Sequence, residues 1–521
     1  MTTPSQFGLP SKFETFRVYP SGSTQWNTVE QIVLSTSRFI KLRAGTGTGK
    51  SLIYTLAAIL EERRALILTP TKGLQDQLYG DFSSIGLTDL KGMSNYPCKA
   101  LQPYGEFYTG TLGNCNIGPC LFGSDCTVKN QCDYFGIGGA LEKVKNAKLV
   151  QMNYHKWMSS ANWSMFNPFD ILICDEVHQA MGILHGFCTV ILNADWLKNE
   201  LHMGLPPEGD NVDWCKTSIS KTKILLDTNN DYQEKLKLSK FIASINRLQT
   251  EGVKWIRKST KEGITLSPVW VNKFAERLLY RGIPKIVLVS ATVDDKTLRY
   301  IGVRKCDEVI VEPIFPSERH PVIHFAKSGP MSPVSVKRKE DMGEGNITKW
   351  VDQMDKVIDT RLMVKIAILT VSYDWQKEII QRSRYSQFMI YHNRDTTKNA
   401  LKEFRTVSAP SILVSPVVGE GTDFIYDQAR CLFIAKMPFF WIGDPLVAAR
   451  LKDDPMYHDF VVGRTLIQNF GRDMRASDDY GEVFIFDGNW QWFKKRVNWI
   501  EEVSELFKEC RDIEDYKGPV P

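Results

Sequence analysis

At 521 residues, with 43% hydrophobic and 24% charged residues, the chain has the composition of a soluble globular protein too long for one ordinary core, so two or more domains are expected. Its 65 basic residues nearly balance 60 acidic ones, and a net charge of +5 permits nucleic acid without requiring it. No apolar run approaches the roughly 18 residues of a membrane span, and the opening MTTPSQFGLPSKFETF lacks the charged-then-apolar pattern of a secretory leader. The expectation is a cytoplasmic protein with no membrane partner.

Tyr19 to Gln25 reads as a turn into a helix over Trp26 to Leu34, and the Gln25 carboxamide can pair with both the donor and the acceptor of an adenine edge. Next, Arg38 to Leu42 reads as a strand, Gly45-Thr46-Gly47-Thr48-Gly49-Lys50-Ser51 as a phosphate loop, and Ser51 to Glu62 as the helix after it. The glycines let backbone N–H groups close round a polyphosphate, Lys50 reaches the outer phosphates, and Ser51 can hold Mg²⁺. ATP with Mg²⁺ is the expected cofactor pair. A buried-type strand over Ala65 to Thr69 then leads into PTKGLQDQL, a turn and helix; Thr69 and Thr71 stand where hydroxyls can cap a helix or hold a nucleic-acid phosphate. Strand, loop, helix and strand in this order predict a parallel sheet with helices on both faces.

From Lys91 the sequence becomes rich in Gly, Asn, Tyr and Cys, with too few aliphatic residues to make its own core. Five of the eleven cysteines fall here, at Cys98, Cys115, Cys120, Cys126 and Cys132. In a cytosolic protein that density points to a metal rather than disulfides, with Zn²⁺ and an iron–sulphur cluster both open. The gaps of 17, 5, 6 and 6 residues lack paired C-x₂-C knuckles and suit a loose wrap round a cubane. A helix over Gly139 to Ala147 and a strand over Lys148 to Met152 follow. Then FDILICDEVH runs four apolar residues into Asp175 and Glu176. After a phosphate loop, Asp175 suits Mg²⁺ through water, Glu176 suits polarising the attacking water, and His178 suits relaying nucleotide state.

Asn193 to Leu279 reads as a mostly helical insertion, in which Lys235, Lys237, Lys240, Lys254, Arg257, Lys258 and Lys261 can follow a phosphate backbone and Trp255 can stack on a base. The strand KIVLV resumes at Lys285, and its hydroxyl-rich Ser290-Ala291-Thr292 turn suits hydrogen bonding to the acidic motif. A second alternating unit begins near Ser317, with strands at Lys365 to Leu369, Phe388 to Tyr391, Ser411 to Val414 and Cys431 to Ala435. It has no phosphate loop. It carries SPVVGEGTDF, with Gly421 and Asp423 as nucleotide contacts, and QNFGRDMR, read as helical, with Gln468 as a catalytic candidate. Arg472 and Arg475 lie three residues apart on one face, suited to reach a γ-phosphate as arginine fingers.

Taken in order, RAGTGTGKS, LTPTKGLQDQ, SNYPC to CDYF, QMNYH, ICDEVH, VSAT, LVSPVVGEGTDF and QNFGRDMR resemble the XPD/DinG family of iron–sulphur superfamily 2 DNA helicases. The resemblance implies two RecA-like α/β domains, the first (1–97, 133–182 and 280–316) interrupted by a cluster insertion at 98–132 and a helical arch at 183–279, the second at 317–521. It implies a [4Fe–4S] cluster on four of the five cysteines. Cys98 and Cys132 are fixed by their flanks, Cys126 and Cys120 follow, and Cys115 is the alternative to Cys120. It further implies ATP-driven 5′ to 3′ movement on single-stranded DNA with unwinding of tailed or forked duplex, by a monomer that is nucleoid-associated if prokaryotic or phage. The short arch, DEVH in place of the usual DEAH, and the fifth cysteine depart from the family pattern.

Overall fold

The computed structural model describes residues 3–45, 47–104, 113–122, 126–159, 166–209, 211–313, 317–325, 344–416, 424, 426–472, 479–497, 510–516 and 518. Thr46, Gly421, Asp423 and Arg475 therefore lie outside the described residues. The chain divides into two compact units, one of residues 1–44 and 49–311, the other of residues 45–48 and 312–521. Among the described residues no helix is long and apolar enough to cross a membrane.

In the first unit the strands are β1 (Phe39–Ala44), β2 (Ala65–Thr69), β3 (Leu87–Leu90), β4 (Leu149–Asn153), β5 (Ile171–Cys174), β6 (Val190–Asn193), β7 (Trp255–Thr260), β8 (Gly263–Pro268), β9 (Lys285–Ser290) and β10 (Asp307–Val311). Seven of the described strands form one sheet in the order β10-β1-β9-β5-β2-β4-β3, with every pairing parallel. A parallel sheet is covered on both faces, which is why β2, β5 and β9 are buried at every position and apolar through their middles. Each Leu, Ile or Val so buried contributes about 1.5–3 kcal/mol. Because the strands run the same way, the turns after β1, β2, β4, β5 and β9 all emerge on one edge of the sheet, where ligands of such folds gather.

The insertion differs from the expected helical one. Two long helices are present (Val212–Thr228 and Tyr232–Leu248), but the segment is completed by an antiparallel sheet in the order β6-β8-β7. The stretch WIRKSTKEGITLSP is a hairpin, not a helix: its Thr, Ile and Ser residues favour strand, and Gly263 turns the chain where any side chain would strike the Leu192 carbonyl. Trp255 consequently packs into the insertion's own core and against Phe274, with ring centroids 6.1 Å apart. The ring expected to stack on a base is thus half-buried in these contacts. Arg257 is likewise engaged, donating to the Pro206 carbonyl at 2.6 Å.

The second unit contains β11 (Val322–His324), β12 (Lys365–Leu369), β13 (Met389–Ile390), β14 (Ser411–Ser415), β15 (Cys431–Ile434), β16 (Glu482–Ile485) and β17 (Arg511–Asp512). These described strands make a second parallel sheet, in the order β13-β14-β12-β15-β16-β11-β17. Its core gathers Ile366, Ile368, Val414, Phe433 and Phe484 with Trp350 and Trp375 from the covering helices. Two parallel α/β units are the architecture expected from the alternation of the sequence.

Candidate nucleotide site and cysteine centre

The phosphate loop follows β1 and ends at Gly49, which starts the helix Lys50–Leu60. Gly47 and Gly49 have φ of +75° and +83°, a region that glycine enters without cost. Gly49 is doubly constrained, because a Cβ there would collide with the Gln25 carboxamide. Gln25 is buried, and its side-chain oxygen accepts the Arg17 N–H at 3.0 Å. That corrects the picture of a glutamine free to read both positions of an adenine edge: its acceptor is engaged, and its amide nitrogen lies over the loop. Within the loop, the Thr48 hydroxyl donates to the Gly45 carbonyl at 2.8 Å.

Beyond β5 the chain turns sharply, with Glu176 in the left-handed region at φ +48°. Asp175 is held from several sides: its carboxylate accepts from the Tyr54 hydroxyl at 3.2 Å and the Glu176 N–H at 3.0 Å, while the Tyr154 hydroxyl donates to its carbonyl at 2.9 Å. Tyr54 is also hydrogen-bonded to Ser51, so one phenol bridges the two groups expected to hold Mg²⁺. Burial raises the Tyr54 phenol well above its usual value and keeps it a donor. Lys50 Nζ donates to Glu176 at 2.9 Å, Glu176 Oε2 lies 3.3 Å from His178 Nδ1, and that nitrogen is 2.7 Å from the Ser290 hydroxyl. Lys50, Glu176, His178 and Ser290 thus form a continuous polar line across the edge of the sheet.

Charge separates the two carboxyls. Burial, then repulsion from Glu176, pushes Asp175 up to about 7. Burial works against Glu176 too, yet Lys50 and His178 together hold it below the ordinary carboxylate range. A permanently ionised Glu176 can order and polarise a water, while Asp175 awaits a cation to become fully ionised.

Residues 23–100 match the DEAD/DEAH box helicase family, and residues 360–502 match the helicase C-terminal domain family. The chain is 22% identical to a probable ATP-dependent helicase of Methanocaldococcus jannaschii, over 90% of each protein. It is 21% identical to the ATP-dependent DNA helicase YoaA of Escherichia coli, over 86% of this chain and 87% of that one. Together these matches support an XPD/DinG-type superfamily 2 helicase. Solved structures carry the same fold: an XPD helicase has a TM-score of 0.63 at 14% identity, covering 94% of this chain and 98% of that one, and Xpd4 of S. tokodaii has a TM-score of 0.61 at 14% identity, covering 94% and 99%. At family level an XPD/DinG-type helicase has ATP-dependent DNA helicase activity, and ATP with Mg²⁺ is its expected cofactor pair.

Cys98, Cys115, Cys120, Cys126 and Cys132 all line one small pocket, together with Val128 and Phe135. Cys115 and Cys132 approach to 3.6 Å between sulphurs, and Cys132 accepts the Phe135 N–H at 3.4 Å. Gly118 leaves room for the Cys98 sulphur, which a Cβ would approach to 2.9 Å. Burial raises Cys98 and Cys115 above the usual thiol value and, with a hydrogen bond that Cys120 gives to Cys126, takes Cys120 up to about 11. Five buried or half-buried thiols gathered round one pocket fit a metal group that would ligate them as thiolates. Among the described residues no three Cys, His or carboxylates are grouped tightly enough to hold a single metal ion.

In the second unit, Gln468 sits half-buried near the end of the helix Tyr457–Phe470. Arg472 lies beyond that helix rather than on it, and Arg475 is outside the described residues. The backbone turns at Gly471, and buried Arg472 donates through Nε to the Asn469 side chain at 3.3 Å, while its carbonyl accepts the Phe424 N–H at 2.9 Å. Tyr54 and Tyr154 escape sequence reasoning, because a tyrosine on an apolar helix reads as core. So does His392, whose Nε2 lies 2.7 Å from the Ser415 hydroxyl and whose ring faces a cleft with Tyr373 and Asn393. Its one available signal was the placement of His392 just after a strand.

Proposed function

We propose that the chain moves 5′ to 3′ on single-stranded DNA and parts tailed or forked duplex DNA or a DNA–RNA hybrid, driven by ATP hydrolysis. The observation that carries the reading is the polar line from Lys50 through Glu176 and His178 to Ser290. It joins the group that grips phosphate, the group that orders water, and a turn of the neighbouring strand β9. In this assignment Gly45, Thr46, Gly47, Thr48, Gly49 and Lys50 hold the phosphates, Ser51 and Asp175 hold Mg²⁺, and Glu176 orients the attacking water. Gln25 closes over the loop, while Gly421, Asp423, Gln468, Arg472 and Arg475 serve the nucleotide from the second unit's motifs. Cys98, Cys126 and Cys132 with Cys120 or Cys115 would hold a [4Fe–4S] cluster, which supplies the cross-link that the surrounding segment's sparse apolar content does not. Residues 98–132 and 183–279 are assigned as insertions in the first RecA-like domain.

Strand separation by anaerobically purified protein, with ATP and Mg²⁺, tests the reading on matched duplexes with a 5′ or a 3′ single-stranded tail. Unwinding of the 5′-tailed duplex alone is expected. Unwinding of the 3′-tailed duplex overturns the polarity, and failure on both with DNA-stimulated hydrolysis intact leaves a translocase. Single-strand affinity should fall with salt at a log–log slope of about −0.7 per phosphate contacted.

A further inference from the structure

β15 and β16 are neighbours in the second sheet, and what leaves their carboxyl ends meets again. From β15 the chain runs through Pro438-Phe439-Phe440-Trp441-Ile442-Gly443-Asp444, and from β16 into the helix Asn489–Arg496. The base of the loop is firmly held. The Met437 N–H donates to the Asp487 carboxylate at 2.9 Å, Phe439 stacks on His458 with centroids 5.5 Å apart, and Phe439 meets Trp492 edge-on at 5.9 Å.

The tip is treated differently. Trp441 is 71% exposed and Ile442 60%, and Trp492 on the adjoining helix is 51% exposed. The tip is nonetheless ordered as a turn, the Asp444 N–H donating to the Trp441 carbonyl at 3.3 Å and the Asp444 side chain capping the next helix. The Trp441 ring lies against Gly443 so closely that a Cβ there would stand 2.5 Å from the indole. Glycine at 443 therefore gives the ring a seat, and the turn displays it without burying it. A tryptophan left outside a core forgoes the largest apolar burial any side chain offers, so a rigidly displayed one marks a contact surface.

Charge indicates what meets it. Lys494 and Lys495 are exposed on the helix that carries Trp492, and the Arg496 guanidinium, 4.6 Å from the Trp492 ring, is ion-paired with Asp459 at 2.8 Å. Aromatic faces beside cations, on the ligand edge of a parallel sheet, match an unpaired base with its phosphate.

We propose that Trp441 is a base-stacking residue for the single strand, with Ile442 beside it and the Lys494 and Lys495 ammonium groups on the flanking phosphates. The proposal rests on the reading of the chain as a helicase that follows single-stranded DNA. It assigns that strand a contact outside every motif named above.

The test compares wild type, Trp441→Ala and Trp441→Phe by fluorescence anisotropy at one fixed salt concentration, using a dye-labelled oligothymidine and an abasic oligonucleotide of equal length. Trp441→Ala should bind oligothymidine about fivefold to a hundredfold more weakly, the range of one base–aromatic stack. Trp441→Phe should recover most of the loss, and all three proteins should bind the abasic strand alike. Equal affinity of wild type and Trp441→Ala for oligothymidine overturns the proposal, as does an equal loss on the abasic strand. Self-association through Trp441 with unchanged oligothymidine binding overturns it in favour of a protein contact. If wild type binds neither strand, the helicase reading fails and the proposal with it, an outcome distinct from wild-type binding that ignores Trp441.

Discussion

The nucleotide site and the cysteine cavity both bring reactive side chains together, but different forces hold them there. Asp175, Glu176 and Ser290 stand at the ends of β5 and β9, strands buried at every position, and their charges are matched by Lys50 and by phenol and backbone donors. The cysteine segment has only short 3-10 turns among its described residues, and its buried side chains are mainly the thiols themselves and Tyr134. One site is a by-product of a sheet that would fold without it. The other has little apolar content to hold it, and under the proposed reading its thiols supply the cross-links through a bound cluster. The lesson is that sensitivity should divide accordingly: the first site tolerates loss of its chemistry without loss of structure, and the second does not.

Reciprocal variants break or sharpen that contrast most strongly. Glu176→Gln should lower ATP turnover by a hundredfold or more while ATP still binds and iron and sulphide content stay at the wild-type level. Cys132→Ser should do the reverse, removing most iron and sulphide and loosening the segment to protease, with ATP binding kept. Normal turnover in the first variant, or full metal content in the second, would sink the respective assignment.

A smaller effect belongs to the junction between the regions. Buried Lys156 donates to the Tyr134 hydroxyl at 2.7 Å, and burial pushes it from 10.5 down to about 8. Between those values the unfolded chain holds a proton that the folded one has released. The folded state is therefore penalised below about pH 8 and recovers as the pH rises towards 10.5, by at most roughly 3 kcal/mol at 1.36 kcal/mol per unit. Lys156→Met should flatten the rise of the thermal midpoint over this window, and an unchanged pH profile would show that Lys156 does not cause it. The smallest effect is expected from Tyr54→Phe, which removes the bridge between Ser51 and Asp175. Mg²⁺ dependence of hydrolysis should shift to roughly tenfold higher concentration with little change in folding; an unshifted dependence would leave Tyr54 a packing residue.

What the sequence made legible was what neighbouring residues determine together. The loop glycines, the apolar runs of β2, β5, β9, β12 and β15, and the acidic pair after β5 are local patterns and stand where the spacing put them. Edge strands were harder. In β3 the residues are LTDL and in β10 DEVIV, with exposed polar positions that do not distinguish an edge strand from a loop. The hairpin β7–β8 was hidden by lysines that satisfy a helical period as well as an alternating one. Tyr54 and Tyr154 were illegible for another reason: their role depends on Asp175, which is 121 and 21 residues away and reaches them only after the sheet has formed.

Glu176 also carries a consequence for evolution and engineering. A glutamate held at φ +48° costs on the order of 1–2 kcal/mol that glycine would not incur. Screens that select variants for heat resistance alone should therefore favour Gly or Asn at this position, enriching proteins that last longer and turn over nothing. The residue that would be discarded first for durability is the one that the proposed chemistry can least replace.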